Sequence, residues 1–329
     1  MNKKSIKILD CTLRDGGYLI DWNFGKKNIQ SIILNLEKSN INFIECGFLK
    51  SCDFDFNKTF FNNVKTLSEL TNNKTNYTLM VNYGEYDISK FSDCKFPNIK
   101  IRVAFKKNNQ QEALNYIKKL KTLNWDVFAN PMNTNTYNNE ELLYLIDEFN
   151  SIKPYGVTIV DTFGNMYEND VENLFNIFDK NLDKDIALGF HSHNSMQLSF
   201  SNTKTLLKMN IERDLIIDSC LYGMGRGAGN LCTELIAKYL NDNFSSNYLI
   251  NPILNTINEN ITPFFEEKKW GYSLPYYIAA INNCHPNYAC FLLEKGFSDE
   301  EISKTIPQIV EKEKNIFNRE YILNLSKTM

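Results

Sequence analysis

A regular alternation of apolar strands and amphipathic helices is the sequence feature that most constrains the fold of this chain. Eight short apolar, β-branched segments alternate over residues 6–245 with segments whose apolar residues recur at helical spacing. The helical spacing is clearest at Ile29–Leu36 and Leu142–Phe149 and weakest over residues 85–92. Strands that alternate with helices pair in parallel. The predicted strands are Ile6–Thr12, Asn42–Phe48, Tyr77–Tyr83, Ile99–Phe105, Trp125–Met132, Val157–Thr162, Ile186–His191 and Leu215–Tyr222.

This pattern predicts an α/β fold, a (β/α)₈ TIM barrel with a C-terminal, mostly helical appendage. Eight strand–helix units over residues 6–245 match the size of such a barrel, which typically takes about 250 residues. A doubly wound open sheet is the alternative, because periodicity does not show whether the first and last strands pair. Beyond residue 246 the strand pattern gives way to helical runs separated by prolines. We therefore predict a barrel domain at 1–246 and a helical region at 247–329.

Composition excludes several classes of partner. The net charge is −3 and there is no block of Lys and Arg, so nucleic acid is not an expected partner. No apolar run approaches the roughly 18 residues of a membrane span, so no membrane is expected either. The 8 cysteines contain no CxxC pair and indicate reduced thiols. With no apolar signal segment before the first strand, a cytoplasmic location is expected.

The segment Ile8–Phe24 carries a charged pair and two glycines at the end of the first predicted strand. Arg14 and Asp15 are adjacent, and Gly16 and Gly17 follow them. Glycines allow backbone to approach a ligand closely, and a neighbouring cation and carboxylate suit a metal or an anion. Taken alone, these residues favour a surface turn with a local ion pair.

Other polar residues also follow predicted strands, at the barrel end where functional residues of this fold lie. Glu45 ends the second strand, Asn130 the fifth, and Asp161 with Thr162 the sixth. We expect Asn130, Asp161 and Thr162 to contact substrate. Glu45 is expected to orient Arg14 or to contact substrate. Strand-end carboxylates also cap helices or hold an arginine. A purely structural role is therefore the alternative for Glu45 and Asp161.

The HSHN stretch after the seventh strand predicts a metal site. His191 and His193 lie two apart on an extended segment and so point to the same side, and the chain has only 3 histidines. Closure of the barrel would bring the seventh, eighth and first strands together, and with them Asp15. Two imidazoles and a carboxylate suit a divalent ion. Asn230, after the eighth strand, is a candidate for a further ligand through its carbonyl oxygen.

The glycine-rich loop at residues 223–229 has two readings. It fits a loose dinucleotide-binding pattern, but no βαβ unit follows it and no acidic residue ends a second strand to hold a ribose. We instead expect a loop that wraps a carboxylate or phosphate, with Gly223 and Arg226 in contact with substrate and Asn230 carried inward. A tight barrel-closing turn is the alternative for Arg226.

The motifs together resemble the DRE-TIM metallolyase superfamily, which includes hydroxymethylglutaryl-CoA lyase and isopropylmalate synthase. Among its members the chain resembles most the 4-hydroxy-2-oxovalerate aldolase type, because its C-terminal part is short and helical. The matching motifs lie in order on successive strands and are TLRDGG at 12–17, IECGF at 44–48, VDTFG at 160–164, HSHN at 191–194 and GMGRGAGN at 223–230.

The resemblance implies a site for a divalent ion, Mn²⁺ or Mg²⁺, with Zn²⁺ and Co²⁺ as further candidates. Asp15, His191 and His193 would bind the ion, with Asn230 as a further ligand, and Arg14 would stabilise an enolate oxygen. The implied partners are a small 2-oxo acid and an aldehyde. By analogy with this fold, the C-terminal helices would also pair copies of the chain as a homo-oligomer.

One residue departs from the superfamily. Tyr18 stands where the aldolases carry a catalytic His and the synthases and lyases carry Gln. We assign the proton transfer at the aldol hydroxyl to Tyr18, with His285 as the alternative. The predicted function is an aldolase that makes or cleaves a 4-hydroxy-2-oxo acid through a metal-bound pyruvate-type enolate. The alternatives are a Claisen-type enzyme that joins or cleaves an acyl-CoA and a 2-oxo acid, and an inactive metal-binding scaffold subunit.

Overall fold

The computed structural model describes residues 5–71 and 75–327. Its central feature is a closed parallel sheet. Each strand pairs in parallel with the next along the chain, and the first strand also pairs with the eighth, from Ile6 opposite Leu215 to Asp10 opposite Ser219. The TIM barrel is therefore confirmed and the open sheet excluded. The barrel strands are β1 (Ile6–Asp10), β2 (Phe43–Leu49), β3 (Asn76–Asn82), β4 (Ile99–Phe105), β5 (Val127–Pro131), β6 (Gly156–Asp161), β7 (Ala187–Ser192) and β8 (Leu215–Ser219). A two-residue strand at Phe60–Phe61 also pairs in parallel with the end of β2.

The first and eighth strands end earlier than the sequence predicts. Asp10 accepts a hydrogen bond from the backbone N–H of Thr12 at 3.0 Å, and a short helix begins at Thr12 instead of continued strand. The Thr12 hydroxyl in turn accepts from the backbone N–H of Leu221 at 2.8 Å, where a 3₁₀ turn follows β8. Side-chain hydrogen bonds to the backbone thus turn the chain at both strand ends. Apolar periodicity alone does not register such bonds.

The helices of the barrel cover the outside of the sheet. In the second of them, Ile29, Ile32, Ile33 and Leu36 are buried at the i, i+3, i+4, i+7 spacing of one helical face. Residues 85–92 hold only a 3₁₀ turn at Ile88–Lys90, as their weak periodicity predicts. The barrel helices are α1 (Thr12–Asp15), α2 (Lys26–Lys38), α3 (Val64–Ser68), α4 (Gln110–Thr122), α5 (Asn139–Ile152), α6 (Glu168–Asn181), α7 (Ser199–Lys208) and α8 (Thr233–Phe244).

The C-terminal region is helical, as predicted. The apolar core of the barrel continues through Ile261 to Trp270, and a second apolar cluster surrounds Tyr288 and Leu292. The division at residue 247 remains a prediction. The helices are α9 (Ile250–Thr256), α10 (Thr262–Glu267), α11 (Leu274–Ile281), α12 (Asn287–Glu294), α13 (Asp299–Thr305), α14 (Glu311–Lys314) and α15 (Arg319–Lys327), with a π-helical turn at Ile257–Ile261 before α10.

Inside the barrel, apolar and polar residues occupy separate layers. A buried apolar cluster that includes Leu9, Phe43 and Phe128 fills the barrel near the strand starts. Charged side chains lie further along the strands, where Glu45 and Arg102 are both fully buried. The polar centre therefore sits towards the carboxyl ends of the strands. Within the described ranges no helix is both long enough and apolar enough to cross a membrane.

We predict that Asp10 makes stability depend on pH. Its carboxylate is buried, and burial raises its pKa to about 6. The native state therefore binds a proton more readily than the unfolded chain, and stability is lost as the pH rises from about 4 to about 6. The pKa difference corresponds to about 3 kcal/mol. Asp10→Asn should remove this loss. Between pH 4 and pH 7 the free energy of unfolding of the variant, measured in urea, should rise relative to that of wild type by up to about 3 kcal/mol.

The matched control is Asp53→Asn, which alters an exposed carboxylate. Its free energy of unfolding should follow wild type across the same pH range. If the free energies of unfolding of Asp10→Asn and wild type differ by the same amount at every pH, the prediction is wrong.

Candidate metal centre and active site

The three predicted metal ligands meet at the mouth of the barrel. His191 lies in β7, His193 follows that strand directly, and Asp15 ends the short helix after β1. One nitrogen of each imidazole and one oxygen of the carboxylate all lie within 4.8 Å of one another. Neighbouring positions of β1, β8 and β7 in the closed sheet bring these distant segments together. Closure of the barrel is thus what assembles the cluster.

An oxygen atom lies close to Nδ1 of each imidazole. Nδ1 of His193 lies 3.0 Å from the backbone oxygen of Asp161, and Nδ1 of His191 lies 3.0 Å from a carboxylate oxygen of Asp218. An acceptor at one ring nitrogen leaves the other nitrogen free for a cation. Accordingly, Nε2 of His193 faces Asp15, 3.5 Å from its carboxylate.

Asn230 contributes an unclaimed oxygen beside Asp15. Its side-chain amide donates to the Asp15 carboxylate at 2.5 Å and to the backbone oxygen of Met224 at 3.1 Å. Its Oδ1 is buried and accepts no hydrogen bond from any described residue. A Cβ at Gly225 would lie 2.2 Å from the Asn230 amide, so only glycine permits this approach. The two imidazoles and the carboxylate are donor types that fit a divalent cation. Asn230 as a further ligand stays a prediction.

Arg14 is held rigidly next to this cluster. Its Nε donates to Glu45 at 2.7 Å and its Nη1 donates to Asp15 at 2.7 Å. Glu45 is fully buried and does not line the pocket. Of the two roles expected for Glu45, its contacts fit the orientation of Arg14 and not contact with substrate.

Two buried charges that the sequence analysis missed complete the centre. Arg102 in β4 lies 3.2 Å from Glu45 through Nη1 and 2.5 Å from Asp218 through Nη2. Asp218 in turn faces His191. The available sequence signal was a charged residue within a mostly apolar strand, Arg102 beside Lys100 in β4 and Asp218 alone in β8, since a buried charge must find a partner.

The charged groups around Asp15 and His191 shift the pKa values of both side chains. Burial alone would raise the pKa of Asp15, but Arg14 and the two histidines hold it well below its usual value. Burial alone would lower the pKa of His191, but Asp218 and Cys11 raise it to about 10. Without a bound cation His191 therefore carries a proton, which a metal ion would have to displace.

The cluster opens into an inner pocket of about 80 Å³. Arg14, Asp15, His191 and His193 form its charged side. Asn130 lines the pocket and has a buried Oδ1 with no hydrogen-bond partner among the described residues. Its contact with substrate stays a prediction. The rest of the lining is Tyr18, Phe48, Met80, Asn82, Ala104, Met132, Val160, Thr162 and Arg226.

Two predicted substrate contacts, Asp161 and Gly223, lie outside this lining. The Asp161 carboxylate accepts backbone N–H groups from Asn165 at 3.0 Å and Met166 at 3.3 Å, which fixes the turn after β6. Gly223 has a φ of 61° and accepts the backbone N–H of Asn230 at 3.0 Å. Both positions support the loops that carry the site.

Tyr18 and His285 differ in their relation to the pocket. Tyr18 forms part of its wall, and burial raises its pKa above 10 despite the nearby Arg226 and Arg14. His285 does not line the pocket. Its Nδ1 accepts the backbone N–H of Asn287 at 3.1 Å, and burial lowers its pKa well below 6.5. Tyr18 is therefore a neutral phenol at the pocket, and His285 a neutral imidazole behind it.

Comparisons with known proteins agree with this geometry. The chain is 23% identical over 276 residues to a 4-hydroxy-2-oxovalerate aldolase of Geobacillus genomosp. 3, covering 78% of this chain and 80% of the relative. The crystallised N-terminal domain of a candidate aldolase from Bacteroides vulgatus superposes with a TM-score of 0.76 at 29% identity, covering 91% of this chain and 99% of that domain. A hydroxymethylglutaryl-CoA lyase of Bacillus subtilis shares the fold at 15% identity, with a TM-score of 0.62 and coverage of 80% and 94%.

The family assignment rests on most of the chain. The profile of the HMGL-like family matches residues 5–256, which contain the whole barrel and every predicted site residue. Family and relatives together indicate a lyase-type enzyme of a class that depends on divalent metal ions. The chain belongs to the HMGL-like family of metal-dependent TIM-barrel lyases.

Proposed function

We propose that the chain is a divalent-metal-dependent aldolase, a carbon–carbon lyase that makes or cleaves a 4-hydroxy-2-oxo acid through a pyruvate-type enolate. The supporting observation is the convergence of Asp15, His191 and His193 on one pocket that Arg14 also lines. The aldolase relatives support the same reaction class. The proposed substrates are a small 2-oxo acid and an aldehyde.

The polar side of the pocket would organise the 2-oxo acid. A divalent cation such as Mn²⁺ or Mg²⁺, when bound, supplies Lewis-acid polarisation of the substrate oxygens. Asp15, His191, His193 and the free oxygen of Asn230 would hold it. Arg14 is fixed by two carboxylates, so its remaining N–H groups are already oriented towards the pocket. Such preorganised donors stabilise an enolate oxygen as its negative charge develops.

Tyr18 is suited to supply the proton at the aldol hydroxyl. Because burial raises its pKa, the neutral phenol is the dominant form. A neutral phenol can protonate the far more basic alkoxide that forms from the aldehyde during carbon–carbon bond formation. Cleavage would need the less accessible phenolate. The same proton transfer runs in reverse during cleavage, so Tyr18 would serve both directions of the reaction.

Removal of Asp15 should abolish tight metal binding. Asp15→Asn removes the anionic ligand but keeps the size of the side chain. Because loss of an outer-shell partner alone typically weakens metal affinity about 10–100-fold, loss of this ligand should cost at least about 100-fold. Titration of Mn²⁺ by calorimetry measures the effect. Asp53→Asn, an exposed position, should bind Mn²⁺ like wild type, and equal affinities in both variants would contradict the site.

Enolate formation should be visible without any aldehyde. Metal-loaded protein incubated with pyruvate in D₂O should exchange the methyl protons, as followed by NMR. Arg14→Met should slow this exchange about 10²–10³-fold, as is typical for loss of one preorganised donor, and Arg14→Lys should restore part of it. Circular dichroism would verify that both variants fold.

Two results would oppose this function. Absence of exchange with Mn²⁺, Mg²⁺, Zn²⁺ and Co²⁺ alike would contradict a pyruvate aldolase and favour the inactive scaffold. Release of free thiol from acetyl-CoA in the presence of a 2-oxo acid would instead favour the Claisen-type alternative.

Tyr18→Phe should impair the aldol step most. The variant removes the hydroxyl and keeps the ring that packs against Trp22. Loss of a general acid typically costs about 10²–10⁴-fold, so kcat for condensation should fall by that factor. Methyl exchange should fall much less, because no proton moves at the aldol hydroxyl. Equal losses in the two assays would assign Tyr18 a merely structural role.

A further inference from the structure

A second, larger cavity adjoins the inner pocket. It measures about 670 Å³, against about 80 Å³ for the inner pocket, and lies between the barrel mouth and helices α10 to α12. Tyr18 and Arg226 line both spaces. These two side chains therefore form the boundary between the metal cluster and the outer cavity.

Arg226 is a cation with unused hydrogen-bond donors. Arg14, Arg102 and Arg213 each pair with at least one carboxylate. The Arg226 guanidinium makes neither an ion pair nor a hydrogen bond with any residue in 5–71 or 75–327, although the residue is half-buried. Its guanidinium carbon lies 4.6 Å from the ring centroid of Tyr18. Stacking thus holds the group while all its N–H donors stay available, and a guanidinium with free donors binds carboxylate or phosphate well.

The C-terminal region fixes the loop that carries Arg226. The backbone N–H of Gly271 donates to the oxygen of Gly227 at 3.2 Å, and the indole N–H of Trp270 donates to the oxygen of Tyr222 at 3.0 Å. A Cβ at Gly227 would lie 3.4 Å from the ring of Tyr276, a wall of the outer cavity. Arg226 is therefore positioned against that cavity.

The remaining lining suits a polar, extended ligand. Lys268 and Lys269 add two positive charges to Arg226, while Glu267 and Glu294 add two negative ones, so the wall carries one excess positive charge. These four residues are exposed, whereas Arg226 lies at the inner boundary. The anion-binding group is thus the one nearest the reacting atoms. The other lining residues include Tyr276, Asn287, Cys290, Phe291 and Phe317.

We propose that the acceptor is an anionic aldehyde longer than two carbons, which rests on the proposed aldolase function. Its carbonyl would enter the inner pocket, its carboxylate or phosphate would bind Arg226, and the rest of its chain would occupy the outer cavity. The pyruvate methyl carbon loses a proton to water, the electron pair of that C–H bond forms the new bond to the aldehyde carbon, and the aldehyde oxygen gains a proton from Tyr18, which solvent then reprotonates. The 4-hydroxy-2-oxo acid product retains every other atom. A two-carbon aldehyde would leave both Arg226 and the outer cavity unused.

Matched acceptors test this assignment. Glyceraldehyde 3-phosphate is compared with glyceraldehyde, and succinic semialdehyde with butanal, so that the two arms separate phosphate from carboxylate. Hydrogen bonds to charged groups predict that wild type prefers the anionic member of at least one pair by about 10–100-fold in kcat/KM. Arg226→Met should bring that ratio close to one, and Arg226→Lys should restore part of it. Lys180→Met, at an exposed position on α6, should keep the wild-type ratio.

Two acceptor-free measurements separate this inference from the aldolase function. Methyl exchange of pyruvate in D₂O reports enolate formation, and calorimetric binding of glycerol 3-phosphate against glycerol reports the anion subsite. Exchange with equal use of anionic and neutral acceptors would overturn the inference and leave the aldolase standing. A rise in KM for pyruvate alone in Arg226→Met would also overturn it. Arg226-dependent binding of glycerol 3-phosphate without exchange would support the subsite and refute the aldolase.

Discussion

A chain of alternating buried charges crosses the interior of the barrel, and the geometry of the site depends on it. It runs from Asp15 through Arg14, Glu45 and Arg102 to Asp218. Each member is at most 8% exposed in its side chain, so each charge needs its neighbours. Breaking a buried pair on one side typically costs about 3–5 kcal/mol. The network therefore fixes both ends of the metal cluster at once, Asp15 directly and His191 through Asp218.

The same network of buried charges has one more negative charge than positive charges. Three carboxylates face only two guanidinium groups. In the metal-free protein a proton on His191 supplies the missing positive charge, which agrees with its pKa of about 10. A divalent ion bound by Asp15, His191 and His193 would take over that role and release the proton. The buried network thus needs one further positive charge, which either a proton on His191 or a bound cation supplies.

How much of this could be predicted from sequence depended on where each residue lies. Asp15 and His193 follow strands and His191 lies near the end of one, where polar residues stand out from the apolar runs before them. Arg102 and Asp218 lie within strands, where charged residues interrupt a pattern that otherwise indicates core. Their partners become identifiable only when the barrel closes. Asp161 and Gly223 follow strands too, yet their hydrogen bonds serve the turns. Position at a strand end therefore selects candidates but does not distinguish catalytic groups from their supports.

The contrast between Arg14 and Arg226 shows how environment assigns different roles to one residue type. Two carboxylates neutralise and immobilise Arg14, so it can stabilise charge that develops in the reaction without binding a free anion tightly. Arg226 has no carboxylate partner among the described residues and is held by the ring of Tyr18, so its full charge remains available to a ligand. The first arrangement suits a transition state and the second suits recognition. Because Tyr18 supports Arg226 and also faces the inner pocket, the residue that departs from the superfamily pattern connects the two.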